Sequence, residues 1–517
     1  HANVFTRITL ALFEQVPWRA IPVMPIGIMA LPRWSPFNIL KVSYWSRTVI
    51  APLLILMSEK PRAANPDKVD IRELFVTAPE KERRYMVNHT GAKLGYAFLA
   101  LDMVLRRIEP LIPKRARRHS IGKAVAFITK RLNGEDGLGG IFPAMANTVM
   151  AFRTLGYADD HPHYEIARKA IRKLLVECGD EAWCQPCLSP VWDTALAMQA
   201  LMEAGEPTSN ASIEKACTWI RDLQITDVRG DWGSKAPDVA PGGWAFQYRN
   251  DFYPDVDDTA VVGMALYRAD SSANDDTLRR AADWIIGMQS KNGGWGSFDV
   301  DNTHYYLNHI TFADHGALLD PPTADVSARC LSFLAQAGCG KDHPAVKAAI
   351  AYLRAEQEED GSWFGRWGTN YVYGTWSVLS AFNVIGIAAD DPAIVQAVAW
   401  LNLQQRADGG WGEDGATYWH EHKGEAKTST PTQTSWALLA LMAAGETDSD
   451  IVKNGIEYLM DAPHADGKWD EQHYNAVGFP KVFYLMYHGY PVYFPLWALA
   501  RYRRLRDGNA KTTNFGM

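Results

Sequence analysis

Three carboxylates, Asp255, Asp257 and Asp258, fall within four residues of the run Tyr253-Pro254-Asp255-Val256-Asp257-Asp258-Thr259-Ala260. An apolar stretch from Thr259 to Ala269 follows at once, which places the run where a helix begins. One carboxylate suffices to cap such a helix, because it accepts from free first-turn N–H groups and its charge suits the positive end of the helix dipole. Three repel one another. In a dry site the cheapest relief is for one of them to keep its proton, its pKa raised by desolvation and by like charge. A neutral carboxylic acid of this kind can protonate a base as poor as an alkene, provided a nearby cation or hydrogen-bond donors stabilise the carboxylate left behind. The triplet alone leaves open both a capped helix start and an acid.

The elements that must hold such a site are written as an internal repeat. A basic residue or Gln and small residues precede an aromatic and an aliphatic, a Gln follows four residues later, and then come Gly and Trp. The copies are Trp219-Ile220 with Gln224 and Trp232, Trp284-Ile285 with Gln289 and Trp295, Tyr352-Leu353 with Gln357 and Trp363, and Trp400-Leu401 with Gln405 and Trp411. Phe127-Ile128 and Tyr458-Leu459 begin degenerate copies. Each copy puts its aromatic, aliphatic and Gln on a helix ended by a Gly-rich turn, and a second apolar helix follows: Thr194 to Gly205, Thr259 to Ala269, Val326 to Gly338, Thr375 to Gly386 and Thr434 to Gly445. A helix pair repeated at roughly 50 to 70 residues predicts stacked or closed helical hairpins, since one pair alone cannot bury its apolar face. The fold expected is all-α. The amide of each Gln is suited to free backbone groups at helix ends, and the indole to covering the turn.

At 517 residues the chain is too long for one ordinary core and suits two helical domains. A formal net charge of -7 gives no case for a polyanion partner, so nucleic acid is set aside. The six cysteines are too sparse for a disulfide framework, and Cys178, Cys184 and Cys187 lack a fourth ligand at zinc-like spacing, so they are read as ordinary buried thiols. No phosphate loop is found in a strand-to-helix setting, and His420-Glu421-His422 lacks the spacing of a helical zinc site, so neither cofactor nor metal is expected. The chain opens at His1 directly into patterned sequence, which reads as an interior start with neither a signal peptide nor a membrane-spanning run.

The octapeptide and the Gln-Trp repeats together closely resemble the squalene–hopene cyclase family of triterpene cyclases. The likeness extends through Ser189-Pro190-Val191-Trp192-Asp193-Thr194, Gly242-Gly243-Trp244-Ala245-Phe246-Gln247 and Ser362-Trp363-Phe364-Gly365-Arg366-Trp367-Gly368. It implies two α/α-barrel domains, at 1–176 and 177–517, with a large apolar cavity between them. The N-terminal barrel would be incomplete, because the family carries further residues before the point matching His1. It also implies acid-initiated cyclisation of squalene, or another linear polyprene, to hopene or hopanol. Attachment would be monotopic, on the cytoplasmic side of the inner membrane, and a homodimer stays open.

Position by position, the resemblance makes Asp257 the proton donor, Asp255 and Asp258 its flanking carboxylates, and Asp193 and Asp325 acidic members of the surrounding network. Where the family often has a His bonded to the acid, this chain has Arg329, a cation that does not titrate at working pH. Aromatic residues similar to the family's cavity lining are Trp45, Trp192, Phe246, Phe298, Trp367, Tyr373, Phe479, Phe483, Tyr487 and Tyr490. Their π-faces would stabilise carbocations without quenching them. Phe479, Phe483, Tyr487 and Tyr490 also fit helical spacing, which is equally a packing pattern. Phe142, in Ile141-Phe142-Pro143, stands where some relatives place a Gln that holds the quenching water.

An apolar run from Leu94 to Ile112 ends in Lys114, Arg115, Arg117 and Arg118, which fits a helix lying in a bilayer interface and, as an alternative, a buried barrel helix. Two other classes compete for the whole chain. A non-catalytic helical-repeat binder leaves the acidic triplet without a use. An α/α-barrel glycoside hydrolase would need more polar side chains among its aromatics.

Overall fold

Apolar residues at helical spacing translate into helices that make up nearly all the regular structure; the only strands among the described residues are two short hairpins. The computed structural model describes residues 2–423, 428–461, 463, 466–508, 513 and 515–517. Contacts divide the chain into two units, His1–Leu188 with Asn302–Asp320, and Ser189–Asp301 with Pro321–Met517.

This division departs from the expected cut after residue 176, which falls inside a β-hairpin. Leu175–Cys178 (β1) pairs antiparallel with Glu181–Cys184 (β2), and the chain after it stays bonded to the first unit. Gln185 donates its N–H to Leu174 O at 2.7 Å, and Phe142 donates to Pro186 O at 2.7 Å. The segment Asn302–Asp320 also belongs to the first unit, where Ser43 N–H bonds Leu318 O at 2.9 Å and the Trp45 indole bonds Ala317 O at 2.7 Å. Cys178 and Cys184 are exposed on the hairpin and Cys187 is half-buried, so they are not the buried thiols expected.

The first unit contains Val4–Leu12 (α1), Tyr44–Glu59 (α2), Lys93–Ile108 (α3), Lys114–Lys130 (α4), Phe142–Thr154 (α5) and Pro162–Arg172 (α6). Its centre is α2, buried at every residue except Glu59 and packed on α4 and α5, with α6 against α5. In contrast, α3 buries only Gly95 and Asp102.

The second unit is a closed ring with an outer layer. Six inner helices, Pro190–Ala204 (α7), Val256–Asp270 (α9), Ala324–Gln336 (α11), Tyr371–Val384 (α13), Pro431–Ala443 (α15) and Tyr490–Asp507 (α17), each pack on the next, and α17 packs back on α7. Outside lie Ala211–Asp222 (α8), Asp275–Gly287 (α10), Pro344–Ala355 (α12), Pro392–Gln404 (α14) and Asp450–Asp461 (α16). In α9, α13 and α15 long runs of consecutive residues are buried, polar ones among them, as in helices walled on every side by neighbours. At the join of the ring, the buried Glu203 of α7 accepts from Arg501 of α17 and pairs with Arg268 of α9 at 2.7 Å. Burial works against its charge, but the arginines outweigh it and bring its pKa down to about 2.

The repeated Gln and Trp are the fasteners between layers. Gln289 Nε2 donates to Gly293 O in its own turn and to Ala345 O at the start of the next outer helix, at 2.8 and 2.9 Å. Gln357 does the same with Gly361 O and Ala393 O, both at 2.9 Å, and Gln405 with Gly409 O and Ile451 O, both at 2.8 Å. The indoles of Trp295, Trp363 and Trp411 donate to Ile285 O, Leu353 O and Leu401 O. In the first copy, Trp244 takes this place on Ile220 O, and Trp232, the tryptophan expected from spacing, does not. In this copy the stretch 225–243 lies between Gln224 and the tryptophan that reaches the carbonyl. Gln357→Leu leaves two carbonyls without this donor, so a loss of about 1–3 kcal/mol of stability is expected in urea unfolding. An unchanged midpoint would show these bonds to be dispensable.

Candidate active site

The acidic triplet begins α9. Asp255 is the cap residue, in extended backbone conformation, and its Oδ1 accepts from Asp257 N–H at 2.8 Å and Asp258 N–H at 3.4 Å. Two further bonds fix the approach: Asp255 N–H donates to Trp244 O at 2.7 Å and Val256 N–H to Ser297 O at 2.8 Å. The loops bearing Phe246 and Phe298 are thereby tied to the helix start. Capping uses one carboxylate, and Asp257 and Asp258 remain, both almost wholly buried.

Asp257 meets Arg329 of α11 in a two-pronged ion pair, Nε to Oδ1 and Nη2 to Oδ2, the latter at 2.6 Å. Arg329 is 1% exposed, so it points into the ring and not to solvent. Its Nη1 donates to Ser377 Oγ at 3.0 Å, and its Nη2 lies 3.9 Å from Asp325 Oδ2. The guanidinium carbon stands 5.0 Å from the Tyr373 ring centre and 5.7 Å from that of Trp192, within cation–π range. Asp325 accepts the N–H groups of Arg366 and Trp367, each at 3.0 Å, and the Thr323 hydroxyl at 2.6 Å. It therefore anchors the Trp367 loop as well as flanking Arg329.

Burial raises the pKa of Asp257, with Arg329 pulling the other way. Asp258 is pushed much higher by burial and by the charges of Asp255, Asp257 and Asp193. Among the described residues its Oδ1 has no hydrogen-bond partner. The two neighbouring carboxyls thus differ in acidity, and Asp257, whose conjugate base is gripped by a guanidinium, is the stronger acid. Burial opposes the charge of Arg329 too, but Asp257, Tyr373 and Asp325 outweigh it and hold the guanidinium protonated.

Asp193 lies in the first turn of α7, one helix round the ring. It accepts from Ser189 Oγ at 2.6 Å and from Tyr493 Oη at 2.9 Å. Next to it, Trp192 donates its indole N–H to Tyr490 Oη at 2.9 Å, and Tyr490 stacks on Tyr487 with ring centres 4.5 Å apart. Trp192, Tyr373, Tyr490 and Trp367 are therefore linked to the carboxylates by contact or by one intervening residue, and Tyr487 joins them through Tyr490. Phe479 and Phe483 do not continue a helix, as their spacing suggested. They are cross-strand partners in a hairpin of Ala476–Phe479 (β3) and Phe483–Leu485 (β4), because the Gly478 region bends and pairs with the 366–369 loop. Trp45 and Phe142 belong to the first unit, Trp45 buried on α2 and Phe142 exposed at the start of α5. Ser377 and Tyr493 carried no readable signal of their own, although Tyr493 shares a helix face with Tyr490. Trp376 and Trp436, stacked at 6.0 Å beside Tyr373, likewise stand outside the repeat and motif patterns of the sequence.

A ring of inner helices with buried carboxyls at one helix start and aromatic faces around them is the build of a class II terpene cyclase. Family models agree along the chain: the squalene-hopene cyclase N-terminal domain matches residues 1–180 and the C-terminal domain residues 188–504. The chain belongs to the squalene-hopene cyclase family. It is 53% identical over its whole length to the squalene–hopene cyclases of Bradyrhizobium diazoefficiens and Zymomonas mobilis, spanning 79% and 80% of those proteins. It is 43% identical over 97% of its length to that of Alicyclobacillus acidocaldarius, spanning 79% of it.

Proposed function

We propose that this chain converts squalene to hopene, with Asp257 as the proton donor. The observation that carries this is the forked Arg329 pair on a buried Asp257. Alkene protonation is uphill, and its product is a carbocation facing a carboxylate. A guanidinium that already grips both carboxylate oxygens lowers the energy of that charge-separated state without moving. Asp258 keeps its own proton, which removes a charge that would otherwise make Asp257 a weaker acid. The rings of Trp192, Tyr373 and their neighbours turn π-faces to the developing cation, each worth about 1–2 kcal/mol when desolvated. Incubating squalene with membranes containing the protein and analysing the lipids tests the reading; no cyclised product from the parent chain would refute it.

The same proposal includes contact with a lipid surface. No helix among the described residues is long and apolar enough to cross a membrane. The face offered by α3 instead exposes Tyr96, Met103, Val104, Ile108 and, just beyond, Leu111, and Lys114 with its basic neighbours follows. Apolar side chains in the acyl boundary with cations at headgroup level would let a nearly insoluble substrate enter from the bilayer. Met103→Glu with Leu111→Glu is expected to weaken co-sedimentation with anionic vesicles at least about tenfold, since each loses burial and adds repulsion. Binding that matches the parent would place the lipid contact elsewhere.

A further inference from the structure

A β-strand shows its side chains alternately on its two faces, so the face that Phe479 takes depends on the register of β3. Ala476 lies opposite Leu485 and Val477 opposite Tyr484, but Phe479, not Gly478, lies opposite Phe483. Gly478 is therefore an extra residue, a β-bulge, and it puts the two phenylalanines on one face with ring centres 6.4 Å apart. Regular pairing would set Gly478 against Phe483 and turn Phe479 to the other face. A bulge also interrupts the ladder, and the backbone groups it frees need other partners.

Arg366 supplies them. Its Nη2 donates to Gly478 O at 2.9 Å and its Nη1 to Val477 O at 3.4 Å. Consecutive carbonyls of a regular strand point to opposite edges, so one guanidinium spans both only where the strand is bulged. Gly478 completes the fit, because a Cβ there would collide with the Phe483 ring. The backbone of Arg366 is tied to the acid. Its N–H and that of Trp367 donate to Asp325 Oδ2, and Arg329 Nη2 lies 3.9 Å from that same oxygen. The Arg366 guanidinium carbon stands 4.2 Å from the centre of the Trp367 ring, within cation–π range. The loop is clamped on its other sides by Val477 N–H on Trp367 O at 3.1 Å, and by Tyr418 Oη on Gly365 O at 2.7 Å and Gly368 O at 3.0 Å.

We infer that Arg366 is a positioning residue for the cyclisation, holding the Gly478 bulge and so the face that Phe479 and Phe483 present, and thereby setting how far ring closure runs. The inference rests on the cyclase reading above and deepens it. The acid needs only the backbone N–H of residue 366, which any residue but proline supplies, so protonation starts without the side chain. A later cation that is not held against an aromatic face loses a proton to give an alkene, or adds water and then loses a proton to give an alcohol, before the last ring closes. The products are isomers or hydrates of squalene with fewer rings, and no electrons are exchanged.

Product analysis tests this. Arg366→Met keeps an aliphatic chain over Trp367 and removes the fork; squalene consumption should fall by no more than about threefold, while the ratio of incompletely to fully cyclised product rises at least about fivefold. Arg366→Lys, whose ammonium can still reach a bulge carbonyl, should return the ratio toward the parent's. Phe479→Leu should give a similar shift, and adding Arg366→Met to it should change little, because both act through one ring. Gly478→Ala should shift the ratio with Arg366 intact, and it takes the place of Arg366→Met should that chain not fold. The parent's ratio in Arg366→Met or in the Gly478→Ala that replaces it, a Lys variant no nearer the parent than Met, fully additive shifts in the double variant, or lost consumption in a folded Arg366→Met would overturn the inference. No cyclised product from the parent would instead overturn the cyclase reading.

Discussion

Asp257→Asn is expected to lower squalene cyclisation by about 10⁴-fold, to below detection in a lipid assay, because the amide has no proton acidic enough for an alkene. The change is close to isosteric, so the fold should survive it. Arg329 would keep Ser377 at 3.0 Å and Asp325 at 3.9 Å, so the guanidinium is not stranded as a lone buried charge. A cooperative thermal transition close to the parent's, together with lost activity, is the expected pair of results. Product formation by a folded Asp257→Asn chain would move the acid to another residue, with Asp258 the first to examine.

The second large effect is at Arg329. Replacing it by Leu removes the cation that stabilises the Asp257 carboxylate after proton transfer, and a loss of about 10³-fold in kcat is expected. Stability should fall much less than for most broken buried pairs. Asp257 already has a raised pKa from burial, and without Arg329 it simply stays neutral. Arg329→His separates charge from shape. An imidazolium supports the reaction as the guanidinium does, but only while protonated, so activity should drop about tenfold per pH unit above the imidazole pKa. The parent's guanidinium does not titrate in that range and should show no such limb. A His variant with the parent's pH profile would mean that positive charge at this position is not what the reaction uses.

The site was legible where chemistry demanded residues that packing does not explain. Three carboxylates in four residues exceed what a helix cap needs, and the structure accordingly buries all three, spends Asp255 on the cap and pairs Asp257 with Arg329. Repeat spacing likewise identified Gln289, Gln357 and Gln405, since one amide must reach two backbone carbonyls at a constant offset. Where extra chain separates the Gln from its tryptophan, spacing fails. Trp232 satisfied the pattern in the first copy, but the loop before α9 brings Trp244 onto Ile220. Phe479 and Phe483 were four apart and so read as helical, although a hairpin with an irregular register brings the same two residues opposite one another. Ser377 and Tyr493 became visible only through their partners, Arg329 and Asp193, from which they are distant in the chain. The return of Asn302–Asp320 to the first unit had no local signature, because it is decided by what Ser43 and Trp45 bond.

Closure of the second unit has a consequence for how it is made. The helix that starts the ring, α7, finds one of its two neighbours only in α17, and Glu203 meets Arg501 across 298 residues of sequence. A chain emerging from the ribosome therefore holds an open arc, with the apolar flank of α7 and a buried-site glutamate uncovered, until α17, which closes the ring, is released. Contacts of such long range form late and slowly, and the waiting surface invites association with other nascent chains. Biogenesis of this protein should for that reason depend on chaperones that shield the arc, and ring closure should wait for α17 even though the hairpins before it can form as they are synthesised.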